Sequence, residues 1–283
     1  RGVSCSTTSR MLARRHTTLC VAVAAVLCGA CASTRATDRA QALVRAHQEA
    51  QAIVTLRARL QGHPEDVPAR RLLIRLLGFD GDLTGARVEV EELGRWMPVG
   101  DPAPYLELGH ALELAHQYDE ALAAYDEASR VAPSSADGPR EGGMRAARWG
   151  ELGEAAPRLE EAVRRGAHDS EVWHVLGLVR LHLGDYDGAE SAYREGTRAD
   201  PRASTGWIGL ATVAVQRGDA EGALKAYDAV LARVPKFAAA ELGRAWALAK
   251  LGRKDEARQA LDRAEELGAP PENLARQRAA LNQ

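Results

Sequence analysis

Residues 170–203 read SEVWHVLGLVRLHLGDYDGAESAYREGTRADPRA. Their spacing predicts two helices joined by a tight turn. Trp173, Leu176 and Gly177 stand three and four residues apart and so share one face of a first helix, as Ala189 and Tyr193 share a face of a second. Gly184-Asp185 lies between them, the glycine to end one helix and the aspartate to cap the next, and Pro201 closes the stretch.

The same marks recur outward from this stretch on a period of 34 residues. Ala189 has counterparts at Ala121, Ala155, Ala223 and Ala257, and Gly184 at Gly150, Gly218 and Gly252. Tyr193 is matched by Tyr125 and Tyr227, Pro201 by Pro133 and Pro235, and Trp173 by Tyr105 and Trp207. Leu176-Gly177 becomes Leu108-Gly109 and Leu210-Ala211. Paired helices approach closely only where the residue at their crossing is small, which marks Gly109, Gly177, Ala189, Ala211 and Ala223 as crossings. An aromatic beside each would bury side chain worth roughly 1.5–3 kcal/mol. One pair cannot cover its own apolar face, so repeats of this kind must stack into a continuous core.

An aromatic, Leu-Gly, Ala-x-x-x-aromatic and a terminal proline at this period resemble the tetratricopeptide repeat family. The resemblance implies an all-α fold, a right-handed α-solenoid of about six helix-turn-helix units. These are expected at 67–100, 102–135, 136–169, 170–203, 204–237 and 238–271. The first is one residue out of phase because Gly100-Asp101 adds a residue. The third has Pro139, Gly142 and Gly143 where the aromatic and leucine should stand, and Pro157 in its second helix, so it is expected to be the loosest. Thr37 to Gln61 reads as one N-terminal helix with Leu43, Ala46, Ala50, Ile53 and Leu60 on a stripe, packed on the first unit. Residues 272–283 read as a polar capping helix, as a solenoid end requires for solubility.

The start of the chain carries a second signal. Arg14-Arg15 precede a short apolar run from Leu19 to Leu27 and then Cys28-Gly29-Ala30-Cys31. This reads as a secretory signal peptide over 1–30, too short for a membrane span of about 20 residues. Small residues before a cysteine resemble the lipobox of bacterial lipoproteins, which implies lipidation of Cys31 and a lipid-anchored tether over 31–66. Cys28 stands where that motif usually has leucine, and an ordinary cleavage near Ala30 or Ala32 is the alternative. Met11 precedes the leader directly, which reads residues 1–10 as untranslated or dispensable. Ala32 gives no inner-membrane retention signal of the aspartate kind, so an outer-membrane lipoprotein facing the periplasm is expected. All four cysteines lie in the leader, and only Cys31 would survive processing, which leaves no internal disulfide.

Charge and motifs narrow the function. Without residues 1–30 the chain has 33 basic residues against 39 acidic ones, a balance poorly suited to nucleic acid. The sequence contains no metal-binding His-Glu-x-x-His, phosphate-cradling glycine loop, nucleophile elbow or paired Cys-x-x-Cys. No enzymatic activity, cofactor, metal or small-molecule substrate is expected. His110, His174 and His182 lack carboxylate or cysteine partners at metal-ligand spacing and read as satisfied or solvated histidines.

Function then falls to the surface of the first helices, which in this family lines a groove for peptides or helices. One residue past each packing aromatic lies about 100° round the helix, which gives Leu106, Arg140, His174, Ile208 and Leu242 as one row. His110, Met144, Leu178, Thr212 and Trp246 form a second, and a third includes Leu181. Arg71, Arg75 and Arg148 add basic groups. The expected partner is a protein segment, peptide or helix, with apolar anchors and some acidic residues. His110 and Thr212 stand where the family's carboxylate clamp has asparagines, so that clamp is not matched. The expected function is a membrane-anchored scaffold for an envelope assembly, with pilotin-type lipoproteins of secretin or type IV pilus biogenesis among the candidates. The alternative is a periplasmic adaptor for cell-wall or outer-membrane biogenesis enzymes.

Overall fold

The computed structural model describes residues 36–281, so the leader and Cys31 lie outside the described residues. Within them the chain is an all-α array of tetratricopeptide-type hairpins. A helix α1 over 36–45 and α2 (Glu49–Gly62) precede six pairs: α3 (Val67–Asp80) with α4 (Leu83–Trp96), α5 (Ala103–Leu114) with α6 (Tyr118–Val131), and α7 (Asp137–Trp149) with α8 (Leu152–Arg164). Next come α9 (Ser170–His182) with α10 (Tyr186–Ala199), α11 (Thr205–Arg217) with α12 (Ala220–Arg233), and α13 (Ala238–Lys250) with α14 (Lys254–Glu266). A last helix, α15 (Pro271–Leu281), follows. The chain divides into two compact units between Ala132 and Pro133.

In the first unit, Ala52, Ile53, Leu56 and Leu60 of α2 pack with Leu73, Ile74 and Leu77 of α3 and with Ala86 and Leu93 of α4. The N-terminal segment is two helices rather than the single one expected over Thr37–Gln61. The break falls at His47, whose φ of 55° is left-handed, and Gln48 N–H donates back to the Leu43 carbonyl. The apolar stripe shifts with it: Ala46 and Ala50 are exposed, while Ala52 and Leu56 carry the contact.

Three of the six turns within hairpins follow one five-residue pattern. Gly81, Gly184 and Gly218 end their helices at φ 82°, 81° and 74°, where a side chain would be strained. Asp82, Asp185 and Asp219 then accept hydrogen bonds from the backbone N–H of Gly85, Gly188 and Gly222. Asp66 and Asp169 cap the N–H of Ala69 and Val172 with no glycine there, but in these three turns the aspartate lies against that second glycine, unremarked in the sequence. A Cβ on it would lie 2.3, 2.0 or 2.2 Å from the capping carboxylate. Asp219→Ala is expected to cost about 1 kcal/mol, seen as a lower urea midpoint at unchanged slope.

The second unit includes the hairpin expected to be loosest. Its helices α7 and α8 form at full length, and a Cβ on Gly143 would meet the Leu159 side chain at 2.8 Å. Gly143 lets α7 close up on Leu159, which stands where Tyr193 stands in the next hairpin. Pro139 sits in the first turn of α7, where its N–H would have no helical partner anyway. The far end of this unit is a core of Leu242, Leu248 and Leu261 closed by Leu274 and Leu281 of α15.

Candidate interaction surface

In the first unit the first-helix surface centres on a residue the sequence reading passed over. Glu107 on α5 is fully buried. Its Oε1 accepts from Arg71 Nε at 2.6 Å and Arg75 Nη2 at 2.9 Å, and its Oε2 from Arg75 Nε at 2.6 Å. His110 Nδ1 lies 3.7 Å away. Burial alone would raise the carboxyl pKa, but the His110 imidazole and the two guanidiniums override it and hold the group at about 2. Arg71 and Arg75, on α3, are therefore half-exposed charges already engaged by a buried acid. His110 also packs edge-on against Tyr125, and Leu106 is half-buried beside it on α5.

In the second unit the expected rows separate into three groups. Arg140 on α7 is ringed by acids: Glu171 at 3.1 Å, Glu141 at 3.2 Å and Asp169 at 3.6 Å. Its attraction for an acidic partner is thus largely offset within the chain. Arg148 is exposed at the end of the same helix, and Met144 is half-buried between them. On α13, Leu242 is buried at 9% exposure and belongs to the core rather than the surface. The reason is α15, whose Gln277 Nε2 donates to the Leu242 carbonyl at 3.2 Å and whose leucines cover that face. Trp246 is half-buried against the Ala214, Ala223 and Ala247 cluster, so its ring is partly packing.

Between α9 and α11 the rows do converge. His174 and Leu178 of α9 face Ile208 and Thr212 of α11 across a cavity of about 410 Å³. Leu181, His182, Tyr186, Tyr193, Gly209 and Gln216 complete its lining. Leu178 is 40% exposed on the cavity wall. The cavity floor is the ring of Tyr193, gripped between α9 and α11. A Cβ on Gly177 would lie 2.7 Å from that ring and one on Gly209 only 2.3 Å. Gly209 was not among the crossings read from the sequence, although it stands two residues before Ala211.

Six of the ten lining residues carry polar side-chain groups: His174, His182, Tyr186, Tyr193, Thr212 and Gln216. His174 Nδ1 is buried without a hydrogen-bond partner, and burial pushes the imidazole pKa below its usual value, so the ring is neutral. Burial also pushes the Tyr193 phenol up to about 12. His182 Nδ1 lies 2.8 Å from the Leu178 carbonyl, which can only accept, so that nitrogen carries a hydrogen. Thr212 Oγ1 donates to the Ile208 carbonyl within its own helix and keeps its lone pairs to accept.

Residues 141–204 and 208–272 match the tetratricopeptide repeat family model, which accounts for the hairpins of the second unit. No curated protein sequence matches the chain. Among solved structures, YrrB, described as a TPR protein with an unusual peptide-binding site, is 20% identical, aligns over 64% of this chain and 93% of its own, and gives a TM-score of 0.57. MamA is likewise 20% identical over 59% of this chain and 91% of its own, with a TM-score of 0.56. The C-terminal part of a TPR repeat-containing protein from Cytophaga hutchinsonii is 17% identical over 85% and 98%, with a TM-score of 0.64. At these identities the likeness establishes the fold, a tetratricopeptide α-solenoid.

Proposed function

We propose that this tetratricopeptide array is a protein-interaction scaffold, exported and held at a membrane by a lipid on Cys31, whose first-helix surface takes a peptide or helix of an envelope assembly. Secretin or type IV pilus biogenesis is the most specific form of that reading. The observation that carries it is the α9–α11 cavity, with the half-exposed Leu178 at its wall and the uncharged polar atoms of His174 and Tyr193 within. Apolar pockets with a few placed polar groups suit a binding anchor. The reading is non-enzymatic, in keeping with a repeat fold that serves as an interaction scaffold. YrrB shares the fold and carries a peptide-binding site, which makes a peptide the first class of occupant to test.

Membrane attachment rests on the leader residues Cys28-Gly29-Ala30-Cys31. Two arms test the whole reading. Cells fed a labelled fatty acid should label the protein, and Cys31→Ala should abolish the label and release the protein from the membrane pellet. A photo-crosslinker at Leu178 should capture an envelope protein from detergent-solubilised membranes, while one at the exposed Ala232 on α12 should not. Absence of label in the wild type would end the lipoprotein reading. Equal capture from both positions would end the first-helix one. The identity of the captured protein separates an assembly component from a cell-wall or outer-membrane biogenesis enzyme.

A further inference from the structure

We propose that the first-helix surface of α3 and α5 takes a side-chain carboxylate of the partner polypeptide on Arg71 and an apolar residue of the same segment on Phe79 and Leu114, an assignment that rests on the scaffold reading above. Glu107 holds both arginines of α3 by one edge, Arg71 through Nε alone. Neither terminal nitrogen of Arg71 is bonded within the described residues or sealed from solvent. Two guanidiniums against one carboxylate leave one positive charge in surplus. Arg71, Arg75 and Phe79 stand at four-residue steps on α3, as Leu106, His110 and Leu114 do on α5. A Cβ on Gly78 would meet the Ala111 backbone at 2.4 Å, so the two stripes run side by side. They end in Phe79, 60% exposed, and Leu114, 40% exposed.

The charges select the occupant and its direction. One surplus charge answers a carboxylate and would leave a doubly charged phosphate half-paired. A chain-end carboxylate brings its own peptide N–H and carbonyl close beside it, and α3 and α5 contain no asparagine, glutamine, serine or threonine to receive them. An aspartate or glutamate side chain keeps those groups at a distance. At the other end of the stripes Asp80 follows Phe79 and Glu113 precedes Leu114, so a second acid would be repelled there and an uncharged apolar residue is favoured. Arg71 and Phe79 are eight residues apart. That separation is about 12 Å along a helix, which an extended partner spans in about four residues.

The test titrates the full chain against the peptide Glu-Ala-Ala-Ala-Leu, dye-labelled at its N-terminus and amidated at its C-terminus, and against its glutamine counterpart. Fluorescence anisotropy is expected to show the glutamate peptide binding about ten-fold more tightly, the worth of a hydrogen bond to a charged group. Arg71→Gln should erase that difference and leave the glutamine peptide unchanged. Arg71→Lys keeps a cation on Glu107 without the second edge of donors, so it should narrow the difference too and covers a failure of the first variant to fold. Phe79→Ala, at an exposed position, should weaken both peptides alike. Equal affinities in the wild type, a difference that survives both Arg71 variants, or indifference to Phe79→Ala overturns the site. A glutamine peptide with a free C-terminal carboxylate that binds as tightly as the amidated glutamate peptide overturns the side-chain assignment. Failure here with an envelope protein still captured at Leu178 overturns the site and spares the scaffold. Discriminating peptide binding with nothing captured at Leu178 spares the site and removes the scaffold reading.

Discussion

Gly78→Ala is expected to destabilise the first unit by roughly 3 kcal/mol, at or beyond the upper end of ordinary overpacking. The added methyl would sit 2.4 Å from the carbonyl oxygen of Ala111, 2.5 Å from its Cα and 2.8 Å from its carbonyl carbon. These are backbone atoms of α5, so no side-chain rotation relieves the contact and α3 must move away as a body. The intrinsic preference runs the other way, because alanine in a helix interior is favoured over glycine by roughly 0.5–1 kcal/mol. Gly94 on α4 isolates that preference, since a Cβ there meets only Pro104 at 4.0 Å. Gly94→Ala should therefore be neutral or stabilising. Urea melts of the two variants, with hydrogen exchange over α3 and α5, check the contrast. Similar melts for both would mean that α3 and α5 do not cross at Gly78 and Ala111.

The hairpins were legible because the marks that set their phase are chemically forced. A crossing takes a small residue, three of the six turns take a left-handed glycine followed by a capping aspartate, and an aromatic fills the gap beside three crossings. Depth was less legible than phase. Leu242 occupies the same register position as His174 and Ile208, yet α15 covers it, and register alone carries no record of a terminal helix folding back. The break at His47 was hidden for a related reason: Ala46 and Ala50 fit a continuous stripe, and the signal against it was a histidine in a conformation that sequence only weakly favours. The third hairpin misled in the opposite sense, since Gly143 was read as lost packing where it permits a close approach to Leu159. At the candidate site, five row residues converge on one cavity, whereas Trp246 is drawn into core packing and Arg140 into acids from two helices and the loop before α9. Glu107 had a visible signal, a lone acid between Leu106 and Leu108, but its partners lie 32 and 36 residues earlier, beyond any local pattern.

Glu107→Gln is expected to cost the first unit roughly 3 kcal/mol at neutral pH, the equivalent of a carboxyl held at about 2 in the folded chain against its ordinary 4.5. The sign follows from the depression. The folded state prefers the ionised form, so the contribution is complete above 4.5 and is lost as pH falls toward 2. Wild-type urea stability should thus drop across that window, and the glutamine variant should drop by less, since its amide cannot take up the proton. The charges themselves set a second contrast. Removing only the acid leaves Arg71 and Arg75 facing each other across a dry amide, which is the costly way to break a buried network. Replacing Arg71, Arg75 and Glu107 together by methionine removes the desolvation penalty with the attraction, and should recover most of the loss. If the single variant is as stable as the wild type at pH 7 and its pH curve is unchanged, Glu107 is not the ionised hub of this cluster. If the triple variant is as unstable as the single one, the network holds α3 against α5 by its geometry rather than by balancing charge.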